Sequence, residues 1–179
     1  MDNYSTTSSV APSKNAIALR YGIIFGIISI VYSLILNITD LAFSNRALSW
    51  VSFIILIVAI VLAMREFKQQ NNNYMSYGQG LGIGTLVTTV SSFLGGVFTY
   101  IYVKFIDTGF IDKMREMQVA ELEKKGMNDD QIEQAVTMSE KMMTPGMIVV
   151  FAILGGLFFG FLLSLIISAL LKRTRPEFE

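Results

Sequence analysis

The stretch that decides the fold lies near the end of the chain, where residues 146–171 read GMIVVFAILGGLFFGFLLSLIISALL. No charged residue interrupts the 30 positions between Lys141 and Lys172. A helix needs about 20 mostly apolar residues to cross roughly 30 Å of hydrocarbon. This stretch therefore predicts a membrane-spanning helix.

Three further stretches meet the same requirement. Charges are absent from Tyr21–Thr39 and from Ala47–Met64, which gives uncharged runs of 19 and 18 residues. A third apolar run extends over about Gly80–Val103. The first run is longer than the apolar core of a cleaved signal peptide, so we interpret it as an uncleaved anchor. The four predicted spans are about 17–39, 47–64, 78–103 and 146–171.

The composition supports a membrane protein with an all-α fold. Of the 179 residues, 53% are apolar and 16% are charged, and the mean hydropathy is +0.54. A soluble domain of this size carries about 25% charged residues. The formal net charge is zero, which provides no basic field for nucleic acid. We therefore predict an integral membrane four-helix bundle that binds the lipid bilayer and no nucleic acid.

Basic residues near the span ends predict the orientation of the chain. Lys and Arg concentrate on the cytoplasmic side of membrane proteins. They precede the first span, follow the second and follow the fourth, at Lys14, Arg20, Arg65, Lys68, Lys172, Arg173 and Arg175. Both termini are therefore expected in the cytoplasm, with a disordered tail at residues 1–15 and a single membrane domain at 16–175. The loop 104–145 is expected outside.

This outer loop is too long for a simple connection and contains the signals of a helical hairpin. The first helix is predicted over about Gly109–Lys125, with Asp107 or Thr108 as its N-cap. Gly126 occupies the position past the helix end that favours glycine. The loop carries six basic and nine acidic residues, so its net charge is negative.

The second helix of the predicted hairpin begins at Asn128, whose side chain is suited to capping. Gln131 stands three residues further on, which resembles a capping box. Thr144 and Pro145 are expected to cap and open the fourth span. The apolar stripes of this amphipathic hairpin form a candidate partner surface of Phe110, Met114, Met117, Ile132, Val136 and Met143.

Small residues recur at four-residue spacing in three spans, which places them on one face of each helix. Such rows allow helix backbones to approach closely in a membrane. The rows are Gly22 and Gly26, then Gly80, Gly84, Thr88, Ser92 and Gly96, then Gly156, Gly160, Ser164 and Ser168. Two interpretations stay open: packing within one bundle, or an interface between copies or around a pore.

The sequence offers little for catalysis. It contains no Cys and no His, and no Asp, Glu, Lys or Arg interrupts the long apolar runs of the predicted spans. Proton relays and ion-coupled transporters usually carry charged groups there. Seven of the ten methionines lie from Met114 to Met147, and the hairpin is acidic. We interpret the methionines as packing residues rather than copper ligands. We likewise interpret the carboxylates as a solvated surface rather than a calcium site. No enzyme activity, cofactor or metal is expected.

Several local patterns together resemble a family of bacterial four-span inner-membrane proteins, domain-of-unknown-function family 4199. The resemblance covers about residues 16–175. It rests on Tyr21–Gly26 (YGIIFG), Tyr74–Gly80 (YMSYGQG), Tyr100–Asp107 (YIYVKFID), the segment Gly126–Ala135, Gly160-Phe161 and Ser164–Ile166. It implies a bacterial origin and an inner-membrane location, and it assigns no catalytic residue.

The leading functional hypothesis is a non-enzymatic membrane protein that acts by interaction. The outer hairpin would contact a membrane protein partner or a second copy of the chain in a homo-oligomer. The alternative is an oligomeric channel or an uncoupled transporter of small solutes. Its path would be lined by the hydroxyl side chains of Thr85, Thr88, Ser92, Thr99, Ser164 and Ser168.

Overall fold

A computed structural model describes residues 13–39, 41 and 46–174 of the chain. This part of the chain contains six α-helices and no β-strand. The helices are α1 (Lys14–Ile38), α2 (Arg46–Gln70), α3 (Tyr77–Ile101), α4 (Phe110–Lys124), α5 (Asp129–Glu140) and α6 (Pro145–Leu171). A π-helical turn, Tyr102–Ile106, follows α3 directly.

The prediction of an all-α protein with four spans is confirmed. Helices α1, α2, α3 and α6 are each long and apolar enough to cross a membrane. Their outward faces carry large exposed apolar side chains, such as Ile27, Phe93 and Phe158, which suit contact with lipid. α2 continues past the predicted end at Met64 to Gln70, because its charged last turns bond to the neighbouring helices.

The predicted disordered tail comprises residues 1–15, of which residues 1–12 lie outside the described part of the chain. The prediction was wrong for Lys14 and Asn15, which belong to the first turn of α1. The side chain of Ser13 accepts a hydrogen bond from the backbone N–H of Ala16 at 3.4 Å. This N-cap satisfies one of the free amides at the helix start, so the helix begins earlier than its apolar run. Arg175, at the other predicted boundary, also lies outside the described residues.

Helix α3 is the centre of the bundle, because it contacts α1, α2 and α6. The end at which α1 and α3 begin, and α2 and α6 end, is called the terminal end. The opposite end, from which α4 and α5 extend, is called the hairpin end. The apolar core lies toward the terminal end, where Ile60, Met64, Ile83 and Val87 are almost completely buried.

The connection between α2 and α3 is a short, well-bonded turn. Asn72 and Asn73 adopt left-handed backbone angles, with φ of 54° and 64°. Asparagine tolerates this region better than most residues. Ser76 and Gln79 then form a capping box at the start of α3. Beyond α6 the backbone returns to this turn: Met75 and Arg173 exchange two backbone hydrogen bonds, both of 2.8 Å.

Two helices lie between α3 and α6, and three of the four signals predicted for this hairpin are confirmed. Gly126 adopts φ +75°, and the N–H of Met127 bonds to Leu122 O, which closes the end of α4. The capping box predicted after α4 forms at the start of α5. Thr144 caps α6, and Pro145 is its first residue.

The predicted N-cap of the first hairpin helix was wrong. Gly109 occupies the cap position of α4, without a side-chain hydrogen bond. The carboxylate of Asp107 instead forms an ion pair with Lys113 at 3.4 Å. The backbone N–H of Asp107 bonds to Tyr102 O, which closes the π-helical turn. Asp107 therefore ends the preceding element and does not start the next one.

Candidate functional site

The small-residue rows of α3 and α6 face each other along one antiparallel seam. A Cβ built on Gly84 would lie 2.8 Å from Ser164 Cβ, and one built on Gly160 would lie 2.6 Å from Thr88 Cβ. Real Cβ atoms do not approach side chains this closely. In each pair a glycine on one helix receives a hydroxyl side chain from the other. The pairs are Gly80–Ser168, Gly84–Ser164, Thr88–Gly160 and Ser92–Gly156.

Three of the four hydroxyl groups of this seam are bonded to backbone carbonyls. Thr88 Oγ1 donates to Gly84 O at 2.9 Å, and Ser164 Oγ donates to Gly160 O at 2.6 Å. Ser168 Oγ crosses the seam and donates to Tyr77 O at 2.6 Å. All three side chains are completely buried. The seam is therefore closed, and its polar groups stabilise the packing rather than face an open space.

A second seam joins α1 to α3. A Cβ on Gly22 would lie 2.7 Å from Val90 Cβ, and a Cβ on Gly26 would lie 2.9 Å from a methyl of Leu94. Ser91 Oγ donates to Gly22 O at 2.9 Å, which ties the two helices together. The remaining predicted packing residue, Gly96, faces Ile153 of α6. The structure thus places every predicted packing residue at a contact between helices of one chain.

The hydroxyl groups of the alternative channel hypothesis do not lie along one path. Thr88, Ser164 and Ser168 belong to the closed seam. Thr85 Oγ1 is buried and has no hydrogen-bond partner among the described residues. Thr99 lines a separate cavity at the hairpin end. The hydroxyl groups are therefore divided among different environments within the single chain.

The predicted partner surface is divided between the inside and the outside of the hairpin. Ile132 is only 8% exposed, and it forms the hairpin's own core. Phe110, Met114, Val136 and Met143 are half-buried, and Met117 is exposed. The side chain of Ile132 is therefore buried and is not accessible to a partner.

The exposed apolar groups of the hairpin include two methionines that the sequence analysis did not select. Met138 is 77% exposed and Met142 is 54% exposed. They stand four residues apart, and Met138 lies on the opposite side of α5 from Val136. The sequence contains a signal for this placement. At helical spacing, Met138 falls on the face of α5 that points away from Ile132 and Val136.

Polar contacts hold the two hairpin helices together. Arg115 forms an ion pair with Glu140. Ser139 Oγ bonds to Gln118 Oε1 at 2.9 Å. Among the described residues, no group of three or more His, Cys, Asp or Glu side chains is placed to hold a metal ion.

A polar cluster at the terminal end was also missed by sequence reasoning. Glu66 Oε2 accepts from Arg20 and, at 2.7 Å, from the hydroxyl of Tyr21. Its other oxygen accepts from Gln70 Nε2 at 2.9 Å. Nearby, Lys68 Nζ donates to Leu171 O at the C-terminal end of α6, at 3.1 Å. The cluster ties α2 to both α1 and α6.

Residues 20–173 match the family described as protein of unknown function, DUF4199. No curated protein and no solved structure matches the chain.

Replacing Gly160 by Ala is expected to destabilise the bundle by about 1–3 kcal/mol, because the added methyl group overlaps Thr88 in a packed seam. Gly155→Ala on the same helix is the matched control, since nothing lies within 4 Å of its Cβ position. The control should be neutral or stabilising by up to about 1 kcal/mol, because Ala favours helix. Unfolding in mixed detergent micelles measures both variants, and equal stabilities would contradict the seam.

Replacing Glu66 by Leu is expected to cost about 1–3 kcal/mol, because Tyr21 and Arg20 lose their shared acceptor. Most of this cost should come from the half-buried tyrosine, since the Arg20 side chain is 57% exposed and an exposed ion pair contributes little. The control Glu133→Leu changes an exposed carboxylate of α5 and should stay within about 0.5 kcal/mol. Unfolding in mixed detergent micelles measures both variants. An unchanged free energy of unfolding for Glu66→Leu would exclude a stabilising role for the cluster.

Proposed function

The chain belongs to the DUF4199 family, whose function is unknown, and on that premise we propose that it is a non-enzymatic membrane protein that acts by interaction. The hairpin α4–α5 is the interacting element. Its partner is another membrane protein or a second copy of the chain. The observation that carries this proposal is the exposure of three hairpin methionines, Met117, Met138 and Met142, which are together called the methionine face.

The methionine face has the properties of a binding surface. Methionine is flexible and polarizable, and it is over-used at surfaces that accommodate partners. Ile132 is the side chain that the hairpin helices bury among the described residues, and the exposed methionines do not share in that burial. The surrounding loop 104–145 carries six basic and nine acidic residues. A partner with a basic rim around an apolar patch would complement this surface.

The closed bundle supports a role other than catalysis. The interior of the seam contains glycines and hydroxyl groups that bond to backbone carbonyls. Nucleophilic catalysis needs an activating base beside the hydroxyl group. Among the described residues, the hydroxyl groups of Thr88 and Ser164 bond to the carbonyl oxygens of Gly84 and Gly160, and we assign them to packing.

The channel or transporter hypothesis receives less support. Its hydroxyl groups would have to line one path, and those of Thr88, Ser164 and Ser168 are consumed in the seam. A channel would therefore have to run between copies of the chain.

We place the protein in a bacterial inner membrane, with both termini in the cytoplasm. The terminal end carries six basic side chains on the described residues, Lys14, Arg20, Arg65, Lys68, Lys172 and Arg173. Glu66 is the acidic residue beside them, and it is bonded to Arg20. This bias supports a cytoplasmic terminal end and an outward-facing hairpin.

The orientation is tested with single cysteines, because the natural chain has none. Gln134→Cys on exposed α5 should react with a membrane-impermeant maleimide added to spheroplasts, because the hairpin faces outward. Asn73→Cys, in the connection between α2 and α3, should react only after the membrane is permeabilised. The opposite pattern would invert the proposed topology.

The interaction is tested by adding charge to the methionine face. The double variant Met138→Glu/Met142→Glu should weaken the native complex at least about tenfold, which corresponds to about 1.4 kcal/mol. The control Gln134→Glu/Thr137→Glu adds the same charge to the hairpin, at exposed positions of α5, without removing a methionine. Native mass spectrometry of nanodiscs prepared from native membranes measures the fraction in complex. A complex that survives the methionine changes unaltered would overturn the proposal.

A further inference from the structure

A cavity of about 220 Å³ lies between α1, α2 and α3 at the hairpin end. It exists because α2 packs tightly only along its half nearest the terminal end. The buried residues of α2 all lie from Ala59 to Phe67. From Ala47 to Val58 no described side chain is buried. Toward the hairpin end, α2 therefore leaves room between itself and α3.

One part of the cavity wall is polar and uncharged. It is formed by Ser33, Asn37, Ser52 and Thr99, which come from three different helices. The amide of Asn37 donates to Ser33 O at 2.9 Å and to Ser33 Oγ at 3.2 Å. These bonds occupy its donors and leave its carbonyl oxygen as an acceptor. Among the described residues no charged side chain lines the cavity, so an ion held by them would lose its hydration without a compensating charge.

The other part of the wall is aromatic and connects the cavity to the hairpin. The ring of Tyr102 lies 5.8 Å from that of Phe98 and 6.1 Å from that of Phe110, measured between ring centres. Tyr102 is 5% exposed and begins the π-helical turn. Phe110 is the first residue of α4. The turn thus directs the chain so that the start of the hairpin covers the cavity.

We propose that this cavity is a binding site for an uncharged molecule of about one ring in size that carries a hydroxyl or amide group. An apolar cavity of about 150 Å³ is known to hold benzene, so 220 Å³ admits one ring with a polar substituent. The ring would pack against Tyr102 and Phe110, and its hydroxyl or amide would bond to Asn37. The ligand enters from the side of the membrane that the hairpin faces. This site does not depend on the hairpin's partner, because its polar wall belongs to the bundle.

Access to the cavity is tested first, in nanodiscs that contain the otherwise cysteine-free protein. Thr99→Cys should react with a small water-soluble methanethiosulfonate, because its side chain lines a cavity that has polar side chains in its wall. Phe93→Cys on the same helix is the reference, since Phe93 is 61% exposed on the face that suits lipid. An apolar environment suppresses the thiolate, so the cavity thiol should react about 100-fold faster. Equal rates at the two positions would overturn the proposal.

Binding is tested with benzyl alcohol as the probe and Thr99→Cys as the reporter. Bound probe should slow the modification about tenfold at ten times its Kd. Benzylammonium, which has the same ring and a positive charge, should give no protection. Asn37→Leu should remove the protection by benzyl alcohol, whereas the exposed control Gln134→Leu should retain it.

Three outcomes of this binding experiment would overturn the site. The first is no protection at a saturating concentration of benzyl alcohol. The second is equal protection by benzylammonium, because the ligand class would then be wrong. The third is slower modification of Gln134→Cys, a position on exposed α5, because the probe would then act on the membrane or reagent in general.

Discussion

The close approach of α3 and α6 is the interaction on which the rest of the structure depends. Lipid tails are as apolar as leucine, so helices in a membrane associate through close packing and hydrogen bonds. The seam provides both: each glycine accepts a hydroxyl side chain from the other helix, and Ser168 Oγ donates across the seam to Tyr77 O. The hydroxyl groups of Thr88 and Ser164 bond to carbonyls of their own helices, so they are buried without an unpaired donor. From Gly84–Ser164 to Thr88–Gly160 the two helices exchange roles. This alternation lets both backbones approach evenly, and neither helix supplies all the small residues.

With α6 fixed on one side, α3 acts as the hub for the other elements. It also contacts α1, where Gly22 and Gly26 receive Val90 and Leu94. α2 is anchored by its last turns through Glu66 and the buried residues Ala59–Phe67, and it is less tightly packed toward the hairpin end. The tight packing at the terminal end and the cavity at the hairpin end thus both follow from the uneven packing of α2. The ring of Phe110, at the start of the hairpin, contacts Tyr102 at the end of the bundle, and the hairpin carries the surface proposed to act.

Sequence reasoning succeeded where the signal is local. The spans follow from uncharged runs, and the start of α5 follows from Asn128 and Gln131, which bond within one turn. It was less informative where distant residues meet. The four-residue rows identified the packing faces, but periodicity does not name the neighbour, so an interface between copies stayed open. Arg20 and Glu66 are 46 positions apart, and no spacing rule joins them. The sequence analysis assigned Ile132 to a surface for another molecule. An apolar stripe has the same pattern whether it packs against the other helix of the hairpin or against another molecule.

The most direct test of the seam is an exchange of residues across it. The variants Thr88→Gly and Gly160→Thr are made separately and together, and their free energies of unfolding are measured in mixed micelles. Gly160→Thr alone places two side chains in the space of one and should be strongly destabilised. The double variant restores one hydroxyl side chain against one glycine and should recover about 1–3 kcal/mol relative to the sum of the single changes. If the two changes simply add, Thr88 and Gly160 do not pack against each other, and the account of the seam is wrong.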